Sequence, residues 1–173
     1  MSCSSWCDAV TVDVRWTGIF GAAAEGNRAA LETAVRADPL VLAARSPDGF
    51  TPLHLACFFG RTAAAVWLVK EGAPVNEAAD NETRVAPLHS AVAGADAAAR
   101  LTIARALLDH GADPNARQQK GFTALHAAAL HGDEALVRLL LERGAEPALA
   151  TDDGRTAADL ARETGHPAVA TMV

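Results

Sequence analysis

The sequence predicts an all-α fold in which one helix-turn-helix unit is repeated and stacked. The first observation is that residues 121–145 form one complete unit, whose pattern recurs at least twice upstream and once downstream. The second is a fixed internal spacing, since Gly72 lies 21 positions after Thr51 and Gly144 lies 21 positions after Thr123. The third is composition: 50% of the 173 residues are hydrophobic but only 5% are aromatic, which favours thin helices packed closely through small side chains.

The first 18 residues do not share this repeat. Val10, Val12, Val14 and Trp16 alternate with polar residues, a period of two that fits a short half-buried strand, but because chain termini usually fray we expect a poorly ordered or loosely docked leader. The pattern then becomes helical and predicts a degenerate first unit over residues 19–45. One face of an end unit meets water instead of a neighbour, which explains why the unit departs from the pattern.

The later units follow at nearly regular intervals. Their first helices begin at Thr51, Ala86, Thr123 and Thr156, which are 35, 37 and 33 residues apart. The third unit is the longest, because four residues are inserted between its helices around residues 94–97 and two more precede Ala86. The predicted repeat domain covers residues 19–173, and after the first unit its units lie at about 46–79, 80–117, 118–150 and 151–173.

Residues with special backbone or capping properties mark the ends of the predicted helices. A threonine hydroxyl accepts hydrogen bonds from the exposed amides of a first helical turn, and a proline that follows lacks an amide that would have had no partner. A glycine after a helix accommodates a left-handed backbone. We therefore expect Thr51, Pro52, Thr123 and Thr156 to start helices, Gly60 and Gly132 to end first helices, and Gly72, Gly111 and Gly144 to follow second helices.

The recurring motifs resemble those of ankyrin repeats. Thr-Pro-Leu-His at 51–54 has near variants at 86–89 and 123–126, a mid-unit glycine follows, and Gly-Ala-Asp-Pro-Asn stands at 111–115. The resemblance covers residues 19–173. It implies a solenoid whose hairpin loops project at right angles to the helices, with binding through the concave face formed by loop tips and first helices. It also implies that the repeated histidines, His54, His89 and His126, hydrogen-bond within and between loops and hold the stack together.

Composition and motif spacing argue against several other classes of protein. The net charge of −6 without a basic stripe disfavours nucleic acid as a partner. Three cysteines are too few for a disulfide framework, and the N-terminus shows neither a signal peptide nor a membrane span, so we expect a cytoplasmic protein. His126 and His131 do not match His-Glu-x-x-His, and the cysteines do not complete a four-ligand metal site. We expect no metal and no cofactor.

The predicted binding face combines phenylalanines at two repeat positions. Phe50 and Phe122 precede the helix-starting threonines at the loop tips, and the alternative is that they pack across adjacent loops. Phe58 and Phe59 end a first helix, where Leu130 and His131 match them in the fourth unit. In ankyrin-repeat proteins both positions look onto the concave face. The full expected face is Pro47, Asp48, Phe50, Phe58, Phe59, Lys120, Phe122, Leu130, His131 and Arg155.

These observations predict a monomeric, non-enzymatic module that presents a rigid surface to a protein partner. One alternative is a regulatory or inhibitory subunit of a neighbouring enzyme or toxin. Another is an enzyme or small-molecule site near His89 in the enlarged third unit, whose irregular loops indicate either function or tolerated drift. Ser90 with His89, or Cys57 with His54, supplies a nucleophile and a base but no third orienting group, so we expect no catalysis.

Overall fold

The computed structural model describes residues 17–173. The predicted leader falls outside the described residues, except that Thr17 and Gly18 are the first two residues of helix α1. The ten α-helices in this range are α1 (Thr17–Glu25), α2 (Arg28–Ala37), α3 (Pro52–Phe58), α4 (Thr62–Lys70), α5 (Pro87–Ala93), α6 (Ala97–Asp109), α7 (Ala124–Leu130), α8 (Glu134–Glu142), α9 (Ala157–Glu163) and α10 (Pro167–Ala170).

The helices form two parallel rows. Helices α1, α3, α5, α7 and α9 pack in sequence as one row, and α2, α4, α6, α8 and α10 pack as the other. Two 3-10 helices, Pro39–Ala43 and Gln119–Gly121, lie in connecting segments. Within residues 17–173 extended pairing is limited to one antiparallel bridge, between Ala150 and Thr156. The predicted all-α stack of helix pairs is confirmed.

The core lies between the two rows and is built from repeated positions. Ala56, Ala91, Ala128 and Ala161 occupy one position of the first helices and have no more than 1% of their surface exposed. Their small size lets adjacent first helices approach closely, while leucines of the second helices fill the space between the rows. The fully buried leucines of the second row include Leu68, Leu107, Leu136 and Leu140.

The enlarged third unit differs from the prediction. The turn at residues 94–96 has three residues, as have the turns at 59–61 and 131–133, so the connection is not lengthened. Helix α6 instead has 13 residues where α4 and α8 each have 9. The extra residues form an added first turn of α6, because Asp96 caps the backbone N–H of Ala99 at 2.6 Å and alanine-rich sequence favours helix.

The hairpins between units are closed and joined by backbone hydrogen bonds. Each closes on itself, as where Ser46 N–H donates to the Phe50 carbonyl at 2.9 Å. The third hairpin closes from Ala79 to Val85, two residues wider than its neighbours, and Asn81 Oδ1 accepts from the amides of Thr83 and Arg84 inside it. Neighbouring hairpins are bonded tip to tip, since Asp80 N–H donates to the Gly49 carbonyl at 3.0 Å.

Candidate functional site

The repeated histidines lie in the framework between units. In the second unit the backbone N–H of Thr51 donates to Nδ1 of His54 at 3.2 Å, and the Thr51 hydroxyl lies 2.8 Å from the same nitrogen. Nε2 of His54 lies 2.9 Å from the carbonyl oxygen of Val85 in the next hairpin. Nδ1 therefore accepts and Nε2 donates, which fixes a neutral tautomer and ties one unit to the next.

His89 and His126 repeat the inner half of this arrangement. Nδ1 of His89 accepts from the Ala86 N–H at 3.2 Å, and Nδ1 of His126 accepts from the Thr123 N–H at 3.1 Å. Their Nε2 atoms find no aligned hydrogen-bond partner among the described residues. In the last unit Asp159 replaces the histidine and accepts from the Thr156 N–H at 3.0 Å.

Burial keeps these histidines neutral. It lowers the pKa of His54 to about 4, with positive Arg45 also lowering it and the Val85 carbonyl opposing the shift. Burial likewise lowers the pKa of His89 and of His126. Neutral imidazoles whose Nδ1 atoms already accept backbone hydrogens are scaffold elements, not free bases.

The nucleophile candidates are equally unfavourable for catalysis. The side chain of Cys57 is completely buried, and burial raises the pKa of its thiol, so the reactive thiolate is not populated at neutral pH. Nδ1 of His89, next to Ser90 in sequence, is occupied by the Ala86 N–H. No group of three or more His, Cys, Asp or Glu side chains in residues 17–173 is placed to hold a metal ion.

A groove of about 420 Å³ lies on the face formed by hairpin loops and first helices, and we call it the aromatic groove. Its walls come from the second, third and fourth units. The lining residues are Asp48, Phe50, His54, Leu55, Phe58, Phe59, Thr83, Val85, His89, Ser90, Ala93, Gln118, Ala127 and His131.

Phe58 and Phe59 give the groove its character. Each is 49% exposed, and their rings meet edge to face with centroids 5.2 Å apart. The equivalent residues of the third unit are Ala93 and Gly94, and a Cβ atom at Gly94 would lie only 3.2 Å from the Phe58 carbonyl oxygen. Two large side chains therefore stand beside two small residues, of which Ala93 lines the groove.

The same phenylalanine pair lines a second groove of about 690 Å³ on its other side. That groove is bounded by Gly60 and by the added first turn of α6, including Asp96 and Ala99. The pair therefore forms an apolar ridge between two depressions.

The predicted face divides into residues inside and outside the aromatic groove. Asp48, Phe50, Phe58, Phe59 and His131 line it. Phe50 is half-buried against the His54 ring, with centroids 5.9 Å apart, and Phe122 stands 5.6 Å from His126 in the same way. The predicted residues that do not line the groove are Pro47, Lys120, Phe122, Leu130 and Arg155.

Arg155 is already engaged within its own unit. Its Nη2 lies 2.6 Å from Asp153 Oδ2, and its Nη1 lies 3.0 Å from Glu163 Oε2. Hydrogen bonds from Arg155 and Thr151 lower the pKa of Asp153 to about 2. A partner would have to compete with these ion pairs for Arg155.

The sequence prediction missed groove residues that the repeat itself could have found. Leu55, Ser90 and Ala127 occupy one position, directly after the repeated histidine, and all three line the groove. Because they share a register with His54, His89 and His126, aligning the units identifies them. Val85, Thr83 and Gln118 come from the hairpins, where the irregular third loop obscures the register.

No helix in the described part of the chain is long and apolar enough to cross a bilayer.

Comparison with known proteins matches the chain to one family over most of its length. The family model described as "Ankyrin repeats (3 copies)" matches residues 19–118 and 95–173. An ankyrin repeat-containing protein of Treponema pallidum (strain Nichols) is 36% identical over 94 residues, which cover 54% of this chain and 30% of that protein. Rabankyrin-5 of Homo sapiens is 38% identical over 94 residues, which cover 50% of this chain and 8% of that protein. The chain thus spans less than a third of the length of these two relatives.

Proposed function

The chain belongs to the ankyrin-repeat family, and from that premise we propose that it is a non-enzymatic module that binds a protein partner through the aromatic groove. Ankyrin repeats generally serve protein–protein interaction. The partner is a protein rather than nucleic acid, since the net charge is −6. We further propose that the module acts as a monomer in the cytoplasm.

The observation that carries this proposal is the exposure of Phe58 and Phe59. Within residues 17–173 the exposed large hydrophobic side chains are these two and Leu40. Leu40 stands alone, whereas the phenylalanines touch each other and line two grooves. Contiguous aromatic surface beside a cavity is typical of the anchor region of an interface, while single exposed apolar residues are ordinary.

The mechanism of binding is the presentation of a rigid surface to the partner. The hairpin that carries Asp48 and Phe50 is closed by the Ser46–Phe50 bond and held to the next hairpin through Gly49 and Asp80. Arg45 adds bonds to the carbonyls of Gly49 and Ala78 at 3.0 and 3.1 Å. A surface fixed by so many bonds loses little conformational entropy when a partner binds.

The groove also fits a second candidate, a small-molecule site near His89, because its volume lies within the range of ligand pockets. The groove walls favour a protein partner over a small molecule, because a compact ligand would leave the half-exposed Phe58 and Phe59 largely in contact with water. A small molecule that saturates the purified protein and protects Phe58 from solvent would favour this second candidate instead.

The test is capture of binding proteins by the immobilised chain, identified by mass spectrometry. The double variant Phe58→Ala/Phe59→Ala should lose the specific partner that the wild type retains. Leu40→Ala is the matched control, because Leu40 is 72% exposed but lies outside both grooves. Circular dichroism checks that all three proteins are folded. Retention of every specific partner by the folded double variant would contradict the proposed face.

A further inference from the structure

The aromatic groove carries one exposed carboxylate. Asp48 is the single Asp, Glu, Lys or Arg residue among its described lining residues, and it forms no ion pair within residues 17–173. Its backbone carbonyl is bonded to the side chain of Asn81 at 2.8 Å, so the hairpin that holds it is fixed in place. The buried histidines of the groove are neutral, which leaves the groove with a net negative charge at its rim.

In the last unit the aspartate at the same hairpin position forms an ion pair. Asp153 is the equivalent of Asp48, and Arg155, two residues later, pairs with it at 2.6 Å. In the second unit the residue two positions later is Phe50, so the carboxylate is present without a cation. In the fourth unit Lys120 occupies the aspartate position, which reverses the charge.

The floor of the groove adds hydrogen-bonding capacity. Ser90 is only 6% exposed, lines the groove, and makes no side-chain hydrogen bond within the described part of the chain. Gln118 lines the opposite hairpin wall. The Ser90 hydroxyl can both donate and accept, so it can hydrogen-bond to polar atoms of a ligand such as a peptide backbone.

We propose that the aromatic groove binds an extended segment of a partner protein in which an arginine lies next to a bulky apolar residue. The guanidinium pairs with Asp48 and stacks on an aromatic ring, while the apolar side chain packs against Phe58, Leu55 and Val85. Arginine is favoured over lysine because its planar group can take a carboxylate at its edge and an aromatic ring on its face. The inference rests on the proposed function, since it names the chemistry of that partner.

The experiment is selection of a phage-displayed library of random twelve-residue peptides on the immobilised full chain. We expect enrichment of peptides with an arginine adjacent to Phe, Trp, Leu or Met. One enriched peptide is then synthesised with a fluorophore, and its affinity is measured by anisotropy for the wild type and variants. Asp48→Asn should weaken binding about tenfold, as for loss of a charge-assisted hydrogen bond. Asp80→Asn is the matched control, because Asp80 is exposed on the adjoining hairpin but does not line the groove.

A mutant cycle separates the possible outcomes. Replacing the peptide arginine by glutamine should weaken binding to the wild type more than binding to Asp48→Asn, which keeps only the stacking contact of the arginine. The inference would be overturned by enriched peptides that lack arginine. It would also be overturned by peptides whose affinity is unchanged by Asp48→Asn but reduced by Phe58→Ala/Phe59→Ala, and in both cases the proposed function would stand. Peptides insensitive to both Asp48 and the phenylalanines would count against both. A library without enriched sequences would also overturn the inference of a linear segment.

Discussion

At the scale of single residues, the buried histidines of the three central units each accept a backbone hydrogen at the start of a first helix. His54 shows the complete arrangement, with Nδ1 accepting inside its unit and Nε2 donating to Val85 in the next. Protonation of His54 would place a second hydrogen on Nδ1, facing the Thr51 N–H, in a site with 1% of the residue exposed. The same burial that makes the histidine a good scaffold residue therefore makes it sensitive to acid.

Acid should destabilise the protein between pH 6.5 and pH 4. The pKa of His54 is about 4 in the folded chain and about 6.5 in an unfolded one, so the unfolded state binds the extra proton in this window and stability falls as pH falls. For His54 alone the loss is about 3 kcal/mol. Urea denaturation at pH 7 and pH 4.5 measures the loss.

The variant His54→Asn isolates the contribution of this residue. It should be less stable than the wild type at pH 7 but lose less free energy of unfolding on acidification, because only His89 and His126 then contribute histidine pKa values lowered by burial. Equal losses for wild type and variant would show that the histidine at position 54 does not govern the acid response.

At the scale of elements, the hairpin tips require glycine for two separable reasons. Gly49 has φ of 80°, in the left-handed region, and a Cβ atom there would lie 2.3 Å from the Asp80 carbonyl oxygen. Gly154 occupies the same hairpin position with φ of 84°, yet a Cβ atom there would meet nothing within 4 Å. The two positions share the backbone strain and differ in the steric contact.

Gly49→Ala should therefore be more destabilising than Gly154→Ala. The strained backbone alone costs about 1 kcal/mol in both variants. The clash at Gly49 must in addition push two hairpins apart and break the Asp80–Gly49 hydrogen bond, so we expect a further loss of about 1–3 kcal/mol. Thermal or urea unfolding of the two variants gives the comparison, and equal losses would mean that the hairpins separate without cost.

Repeat spacing predicted much of the arrangement of elements but not how extra residues are used. The equal spacings from Thr51 to Gly72 and from Thr123 to Gly144 follow from the helix-turn-helix geometry. Helix starts and ends can therefore be predicted from the sequence. Four additional residues in the third unit could extend either a turn or a helix with the same count. The structure puts them in α6 because Asp96 caps a run of alanines.

The candidate site was predictable where it follows the repeat and not where it depends on neighbours. Phe58 and Phe59 were found from their position at the end of a first helix. Phe122 occupies the same kind of position as Phe50 but lies outside the aromatic groove. Ala93 of the third unit lines the groove beside the phenylalanine pair, a relation between units that inspection of either unit alone does not show.

At the scale of the whole molecule, stability comes from stacking between neighbouring units. The first-helix row and the second-helix row each pass through every unit, so a central unit is buried on two sides and an end unit on one. The tip-to-tip hairpin bonds, such as Gln119 N–H to the Thr83 carbonyl at 3.0 Å, follow the same nearest-neighbour order. A core substitution in a central unit should consequently destabilise neighbours on both sides, whereas one in an end unit should destabilise neighbours on one side.

Two leucines in the second-helix row test this directly. Leu31 in α2 and Leu107 in α6 both have no exposed surface, so replacing either by alanine removes a similar buried volume. Leu107→Ala should cost about 2–5 kcal/mol of global stability, because the central unit supports neighbours on both sides. Leu31→Ala should instead let α1 and α2 open locally while α5 to α8 stay protected.

Hydrogen exchange read by mass spectrometry distinguishes these responses helix by helix. Leu107→Ala should accelerate exchange in α3 to α8 together, whereas Leu31→Ala should accelerate it in α1 and α2 with only a small change beyond α3. If Leu31→Ala accelerated exchange in α7 and α8 as strongly as Leu107→Ala does, the array would unfold as one indivisible unit. Nearest-neighbour stacking would then be the wrong description of how these five helix pairs share their stability.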